Sequence, residues 1–164
     1  MYRKENNIMD ISSGAGYPAS ALSNFAPHPF VIDGVECASM EGFLQSLKFS
    51  NPEMQRYVCS LVGRQAKMKG KKKAWYRTQT LYWKGEAINR HSEQYQELLD
   101  KAFDALAQNE KFQKALLATG TATLTHSKGH NDASRTVLTS KEFCSRLTQI
   151  RDRLQKQIRE GKMN

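Results

Sequence analysis

A chain of 164 residues with 39% hydrophobic and 25% charged residues suits one globular domain that can bury a core without disulfides or a metal. No apolar run approaches the roughly 20 residues of a membrane helix. The polar, mixed-charge start from Met1 to Asp10 shows no secretory signal, so a cytosolic protein with no membrane partner is expected. A formal charge of +9 and a pI near 9.6 favour polyanionic partners: nucleic acid or a phosphorylated small ligand.

In chain order, the segment up to about Asn24 carries Ser12, Ser13, Gly14, Gly16 and Pro18 and reads as loop or short strand. From Pro29 to Cys37, apolar residues flank the pair Asp33-Gly34, which predicts a hairpin through a tight turn. Ser39 is placed to cap a helix from Met40 to about Phe49, interrupted at Asn51-Pro52. Pro52 suits the first position of the next helix, running to about Val62. A shorter helical stretch follows around Arg64 to Lys69, then Gly70 and lysines lead as a linker to Trp75.

Ser92 caps a predicted helix through Gln108, with Tyr95, Leu98, Leu99, Ala102, Phe103 and Leu106 on one face. Asn109 opens another, which ends before Gly120. Thr121 to His126 alternates as a strand does, and Ser127 to Leu138 is a polar loop. Thr139 with Glu142 forms a capping box ahead of a last helix burying Phe143, Leu147, Ile150, Leu154 and Ile158. The expected fold class is α+β: one mostly helical domain around a small β-sheet.

Cys37, Cys59 and Cys144 are isolated, odd in number and without a CxxC pair. They read as small buried hydrophobes rather than disulfide or zinc ligands. His126 and His130 are four apart but on a predicted loop, where that spacing lacks the geometry of a helix face, so no metal is assigned. Neither a P-loop, a GxGxxG pattern nor a nucleophile elbow occurs, and no cofactor is expected. Between Arg64 and Lys73 six cations occur with no acid; a solvated surface run is the plainer reading, a wall for substrate phosphate the sharper one.

The helix from Met40 carries a second pattern. Met40, Phe43, Leu44 and Leu47 share the core face, while Glu41, Gln45 and Lys48 fall in a sector about 60° wide beside it. Helix-dipole preference accounts for an early Glu and a late Lys. A cleft wall accounts equally for a carboxylate, an amide and an amine stacked at the edge of the core, and a desolvated lysine beside a carboxylate can serve as base or nucleophile.

Leu22-Ser23-Asn24-Phe25-Ala26-Pro27, the Asp33-Gly34 turn, Ser39-Met40-Glu41 and Gln45-Ser46-Leu47-Lys48-Phe49, followed by Ala115 to Gly120 and Asn131-Asp132, resemble in order the signature of the NADAR family. The resemblance spans about Ala21 to Leu154 and implies a single cytosolic domain that cleaves N-glycosidic bonds. Its substrates would be either a phosphoribosylamino-pyrimidine of riboflavin synthesis or ADP-ribosyl-guanine of nucleic acid. By that resemblance Glu41, Lys48 and Asp132 fall on catalytic positions and Asn24 and Phe25 on substrate-lining ones, with Gln45 of the polar sector reading as a further substrate contact. The family's tryptophan corresponds to Trp75 or Trp83, with spacing favouring Trp83. Two departures bear on the substrate: Gly42 stands where the family often has His, and Ala133-Ser134-Arg135 replaces an aromatic, Trp and Gly. A non-catalytic ADP-ribose or nucleic-acid binding module is the alternative from another functional class.

Overall fold

The computed structural model describes residues 7–161. Of the N-terminal stretch expected as loop or strand, residues 1–6 lie outside the described residues. The described part is α+β and mostly helical, with its strands in three two-stranded ladders. Among the described residues no helix is long and apolar enough to cross a membrane.

The first ladder joins the N-terminal strand to one far along the chain. β1 (Ile8–Asp10) runs parallel to β6 (Thr123–Thr125), with Ile8 opposite Thr123 and Asp10 opposite Thr125. The Asp10 carboxylate accepts hydrogen bonds from the Ser127 amide at 2.7 Å and from the Thr125 hydroxyl at 3.0 Å, fixing where β6 ends. A short helix, α1 (Ala19–Leu22), follows β1. The second ladder is the expected hairpin, β2 (Phe30–Ile32) and β3 (Val35–Cys37). Asp33 and Gly34 turn it with φ of 50° and 78°, the left-handed pair a two-residue hairpin needs. Phe30, Ile32, Val35 and Cys37 point to the core, and Val31 and Glu36 to solvent.

Three helices then pack on one another. In α2 (Met40–Ser46) the Ser39 hydroxyl accepts from the Gly42 amide at 3.0 Å, as a cap should. The helix stops short of Phe49 because the Lys48 and Phe49 amides bond carbonyls three residues back, Gln45 and Ser46, at 3.2 and 3.1 Å. Lys48 therefore leaves the helix on a tightened turn. In α3 (Pro52–Cys59) Asn51 caps the Met54 amide. The Gln55 side chain, buried, donates to the Ser46 and Tyr82 carbonyls at 3.1 and 2.7 Å and accepts from the Lys84 amide at 2.8 Å. α4 (Gly63–Gly70) carries the first half of the basic run, Arg64, Lys67 and Lys69, and buries Ala66 and Gly70.

A single 3-10 turn, Trp75–Arg77, leads into the third ladder, a hairpin of β4 (Thr80–Trp83) and β5 (Glu86–Asn89). Sequence patterning does not bring it out; Lys84 and Gly85, with φ of 52° and 86°, turn it. α5 (Glu93–Leu106), α6 (Glu110–Ala118) and α7 (Ser140–Arg159) complete the core, capped by Ser92, Asn109 and the Thr139–Glu142 capping box. The apolar faces of α5 and α7 meet as their spacing requires, except that Ile158 is 46% exposed. The apolar stripe outruns the core there, in the last turn of α7. Cys37 and Cys59 come together in the core, a pairing their sequence separation conceals; the Cys37 thiol donates to the Val35 carbonyl at 3.8 Å, and the interaction between the two thiols pushes Cys37 up and holds Cys59 down.

Charges are buried too, and each has a partner. Arg90, 1% exposed, forms a fork with the Glu142 carboxylate at 3.1 and 2.7 Å and donates to the Thr136 carbonyl at 2.9 Å. Tyr95 lies under that guanidinium and its hydroxyl donates to the Val137 carbonyl at 2.5 Å. Arg151 donates to the Thr119 hydroxyl and the Ala122 carbonyl, both at 2.8 Å. There it meets the negative end of the α6 dipole.

Candidate active site

The residues just after α1, one face of α2 and the loop after β6 enclose a cleft of about 450 Å³. One wall carries Asn24, Phe25, Glu41 and Gln45; the other carries His126, His130, Thr136, Val137 and Leu138; Lys67 and Lys128 add positive charge. The near wall is tied to the helix that the sequence singles out, since the Glu41 amide donates to the Asn24 carbonyl at 3.0 Å. That bond occupies one of the free amides of the α2 N-terminus and sets Asn24-Phe25 beside the Glu41 carboxylate.

Glu41 is half-buried and accepts from the Gln45 amide nitrogen at 2.7 Å. Burial pushes its carboxyl above the ordinary range, against the Gln45 hydrogen bond and the charges of Lys48 and Lys67. Burial likewise pulls the Lys48 ammonium below the ordinary lysine value, and the Glu41 charge works the other way. The two acidities move toward each other, which is how sites poise an acid and a base near neutrality. Their charges interact without an ion-pair contact among the described residues. The Lys48 Nζ instead donates to the Gly70 carbonyl at 3.4 Å, so Lys48 stands behind Glu41 rather than on the cleft surface.

Two glycines make this arrangement possible. A Cβ on Gly42 would sit 2.6, 2.9 and 3.0 Å from the carbonyl oxygens of Leu61, Val58 and Cys59. The backbone of α3 leaves no room for a side chain, which accounts for glycine where the resembled family often has histidine. A Cβ on Gly70 would fall 1.9 Å from the Gln45 Oε1 and 3.1 Å from the Lys48 Cδ. The end of α4 thus presses its bare backbone onto both side chains. The Gln45 Oε1 is buried there without a hydrogen-bond donor.

The remaining sequence-derived site residues lie elsewhere. Trp83 is 7% exposed, packs edge-on against Phe43 with ring centroids 5.2 Å apart, and donates its indole N–H to Asp33 at 2.8 Å. It is a core residue tying β4 to the first hairpin, and does not line the cleft. Trp75 is buried as well. Asp132 is exposed; its carboxylate accepts from the amide and hydroxyl of Ser134 at 3.0 and 2.6 Å, and those bonds hold it low. It faces a separate opening with Tyr76, Gln79 and Arg135, turned there by its own loop. Asn131 accepts from the Lys141 amide at 3.3 Å and so fastens the loop to α7.

Sequence reasoning does not place His126 in the site. Its Nδ1 bonds the Ile11 carbonyl at 2.8 Å and its ring packs edge-on against Phe143, which leaves Nε2 as the remaining polar atom. A histidine directly after an alternating apolar strand is the available signal. The far wall is held from behind: the Arg90 and Tyr95 bonds to the Thr136 and Val137 carbonyls set the backbone of residues that line the cleft. Burial would raise the Glu142 carboxyl, but the hydrogen bonds from Arg90, the Thr139 amide and Gln96 outweigh it and hold it below the ordinary range.

An α+β domain with a polar, cation-rimmed cleft beside α2 is the class these features define. The family model for bacteriophage protein GP30.3 matches residues 16–152, and the chain belongs to that family. A 17.1 kDa protein of enterobacteria phage T4, from the Gp30–rIII intergenic region, is 39% identical over 149 residues, covering 89% of this chain and 98% of its own. The fold is also that of the Escherichia coli protein YbiA: its NMR structure matches with a TM-score of 0.60 at 18% identity, over 96% of this chain and 89% of that one.

Proposed function

We propose that this protein is an N-glycosidase of the NADAR type, hydrolysing the bond between C1 of a phosphoribose or ADP-ribose and a nucleobase-like nitrogen. The observation that carries the reading is a half-buried Glu41 beside Asn24 and Phe25 in a cleft with two cations, backed by Lys48, with the two acidities displaced toward each other. The ordered sequence resemblance and the YbiA-like fold add support.

Breaking an N-glycoside requires a proton for the departing nitrogen, negative charge near the developing oxocarbenium and a nucleophile at C1. The raised Glu41 carboxyl is suited to give the proton and, once ionised, to stabilise the cationic sugar. Lys48 with a lowered pKa has a larger neutral fraction to attack C1. The C1–N electron pair leaves with the base, the sugar ring opens to a Schiff base on Nζ, and water releases the free sugar. Attack requires the Lys48 side chain to swing from the Gly70 carbonyl past Glu41. Phe25 offers a face for the base, Gln45 holds the Glu41 carboxylate, and Lys67 and Lys128 suit the phosphates.

The resting position of Lys48 favours a second reading, a binding module for ADP-ribose or nucleic acid in which Lys48 only neutralises Glu41. Base release from ADP-ribosylated guanine DNA and from the phosphoribosylamino-pyrimidine, by wild type and Lys48→Ala, separates the two. The glycosidase reading expects release from one substrate and a fall on the order of 10²-fold or more in the variant. Absence of release from both, with intact binding of ADP-ribose or DNA, establishes the module instead. Borohydride during turnover tests the covalent step: no adduct on Lys48 leaves water as the attacking group.

A further inference from the structure

The basic run does not simply project into solvent. From Lys67 in the cleft, α4 continues outward as a face carrying Arg64 and Lys69, and these line a surface depression of about 510 Å³ together with Tyr57, Leu61 and Met68. Tyr57 is 50% and Met68 49% exposed, high for large apolar groups on a surface so rich in charge. The Lys69 ammonium lies 5.3 Å from the centre of the Tyr57 ring, and the Lys73 ammonium 4.9 Å from that of Phe49, the residue after Lys48. Two cations thus rest over aromatic faces, Lys69 over Tyr57 and Lys73 over Phe49, on and just beyond the helix whose Lys67 lines the candidate active site.

We infer that the outer face of α4 with Tyr57 of α3 binds a single-stranded nucleic acid, whose phosphates meet Arg64, Lys69 and Lys73 and one of whose bases stacks on Tyr57. An unpaired strand offers what this surface lacks: closely spaced negative charge and free base faces. A duplex offers only the charge, its bases being stacked on one another. At such exposed sites the cations already resting over the rings are held only weakly. Moving to a phosphate therefore costs little and bares the ring for a base. The inference rests on the proposed cleft only for its direction, since the strand would run toward Lys67; binding itself does not require the chemistry.

The test measures binding of a fluorescein-labelled 15-mer of thymidine by anisotropy between 50 and 300 mM salt, for wild type, Arg64→Gln/Lys69→Gln/Lys73→Gln and Tyr57→Ala. Loss of three phosphate contacts lowers the steepness of log K against log salt by about 2. Tyr57→Ala weakens binding about tenfold or more while leaving that slope unchanged. All substituted side chains are exposed or partly so at the surface, and an unchanged melting temperature verifies folding. Equal slopes for wild type and triple variant, or a blunt-ended duplex bound as tightly as the single strand, would overturn the inference. So would binding to phosphatidylserine vesicles with none to the oligonucleotide, which would make the face a membrane contact. If neither glycosidase substrate is cleaved while the oligonucleotide results hold, the surface stands and the proposed reaction falls.

Discussion

Gly42→Ala sets two forces of known sign against each other. In the interior of a helix the change from glycine to alanine favours folding by about 1 kcal/mol. Here the new methyl would meet three carbonyl oxygens of the α3 C-terminus and the residues after it at 2.6–3.0 Å, all backbone and none able to swing aside. Relieving them requires α2 and α3 to part along a contact that also contains the Ser39 hydroxyl bond to the Leu61 carbonyl at 2.9 Å. Overpacking of this kind costs about 1–3 kcal/mol or more, and weakening the Ser39 bond adds about 1 kcal/mol. The net expectation is a destabilisation of about 2 kcal/mol, a fall in Tm of roughly 4–8 °C for a chain of this size. Urea unfolding followed by circular dichroism measures it, with Gly16→Ala as control, since a Cβ there meets nothing within 4 Å. A Gly42→Ala protein as stable as wild type, or more so, would show that helix propensity wins and that the α2–α3 approach is not what demands glycine.

Glu41→Gln is expected to raise stability at pH 7 while abolishing turnover. A carboxyl whose folded pKa lies above its unfolded value loses stability as pH rises through that interval, and the amide removes the loss. Each tenfold difference in acidity between the folded and unfolded states corresponds to about 1.4 kcal/mol, so the variant should melt higher at pH 7 and converge with wild type as pH falls below the ordinary glutamate range; convergence at neutral pH would refute the burial argument. Glu142 behaves in the opposite sense. Its carboxyl is held low, so its contribution is present above the ordinary glutamate pKa and is lost as pH falls through the folded value. Wild-type stability should therefore drop on acidification below about pH 4 more steeply than that of Glu142→Gln, which starts lower at pH 7 because it leaves Arg90 buried without its charge partner; parallel acid limbs would count against it.

How much of this is readable in advance differs by element. Caps and turns are local chemistry, so Ser39, Ser92, Asn109, the Thr139–Glu142 box and the Asp33-Gly34 turn all act as their residue types require. The second hairpin escapes because Lys84 enters the left-handed region without the usual Asn or Asp signal. The stripe of Glu41, Gln45 and Lys48 is visible as periodicity, but the turn that carries Lys48 behind Glu41 depends on Gly70, far along the chain. Trp83 shows the limit of reading aromatics: a flat ring suits a base or a core equally, and only the Asp33 contact places it in the core. The far wall of the cleft comes from a polar loop with no periodicity, and what orders it is Arg90 and Tyr95, whose partners in that loop lie 46 and 42 residues onward.

The pairing of β1 with β6 has a consequence for synthesis. Its partners are 115 residues apart, as are Asp10 and Thr125, and Ser12 and Ser13 of the cleft follow directly from β1. During translation at about 5–20 residues per second, the emerging N-terminal strand waits roughly 6–23 seconds for its mate. Until then Ile11, fully buried in the folded protein, has no β6 beside it, and the cleft lacks its far wall. The proposed glycosidase activity should therefore first appear in chains extended beyond β6 and into α7, and a nascent chain halted before residue 123 should leave its first strand open to added protease.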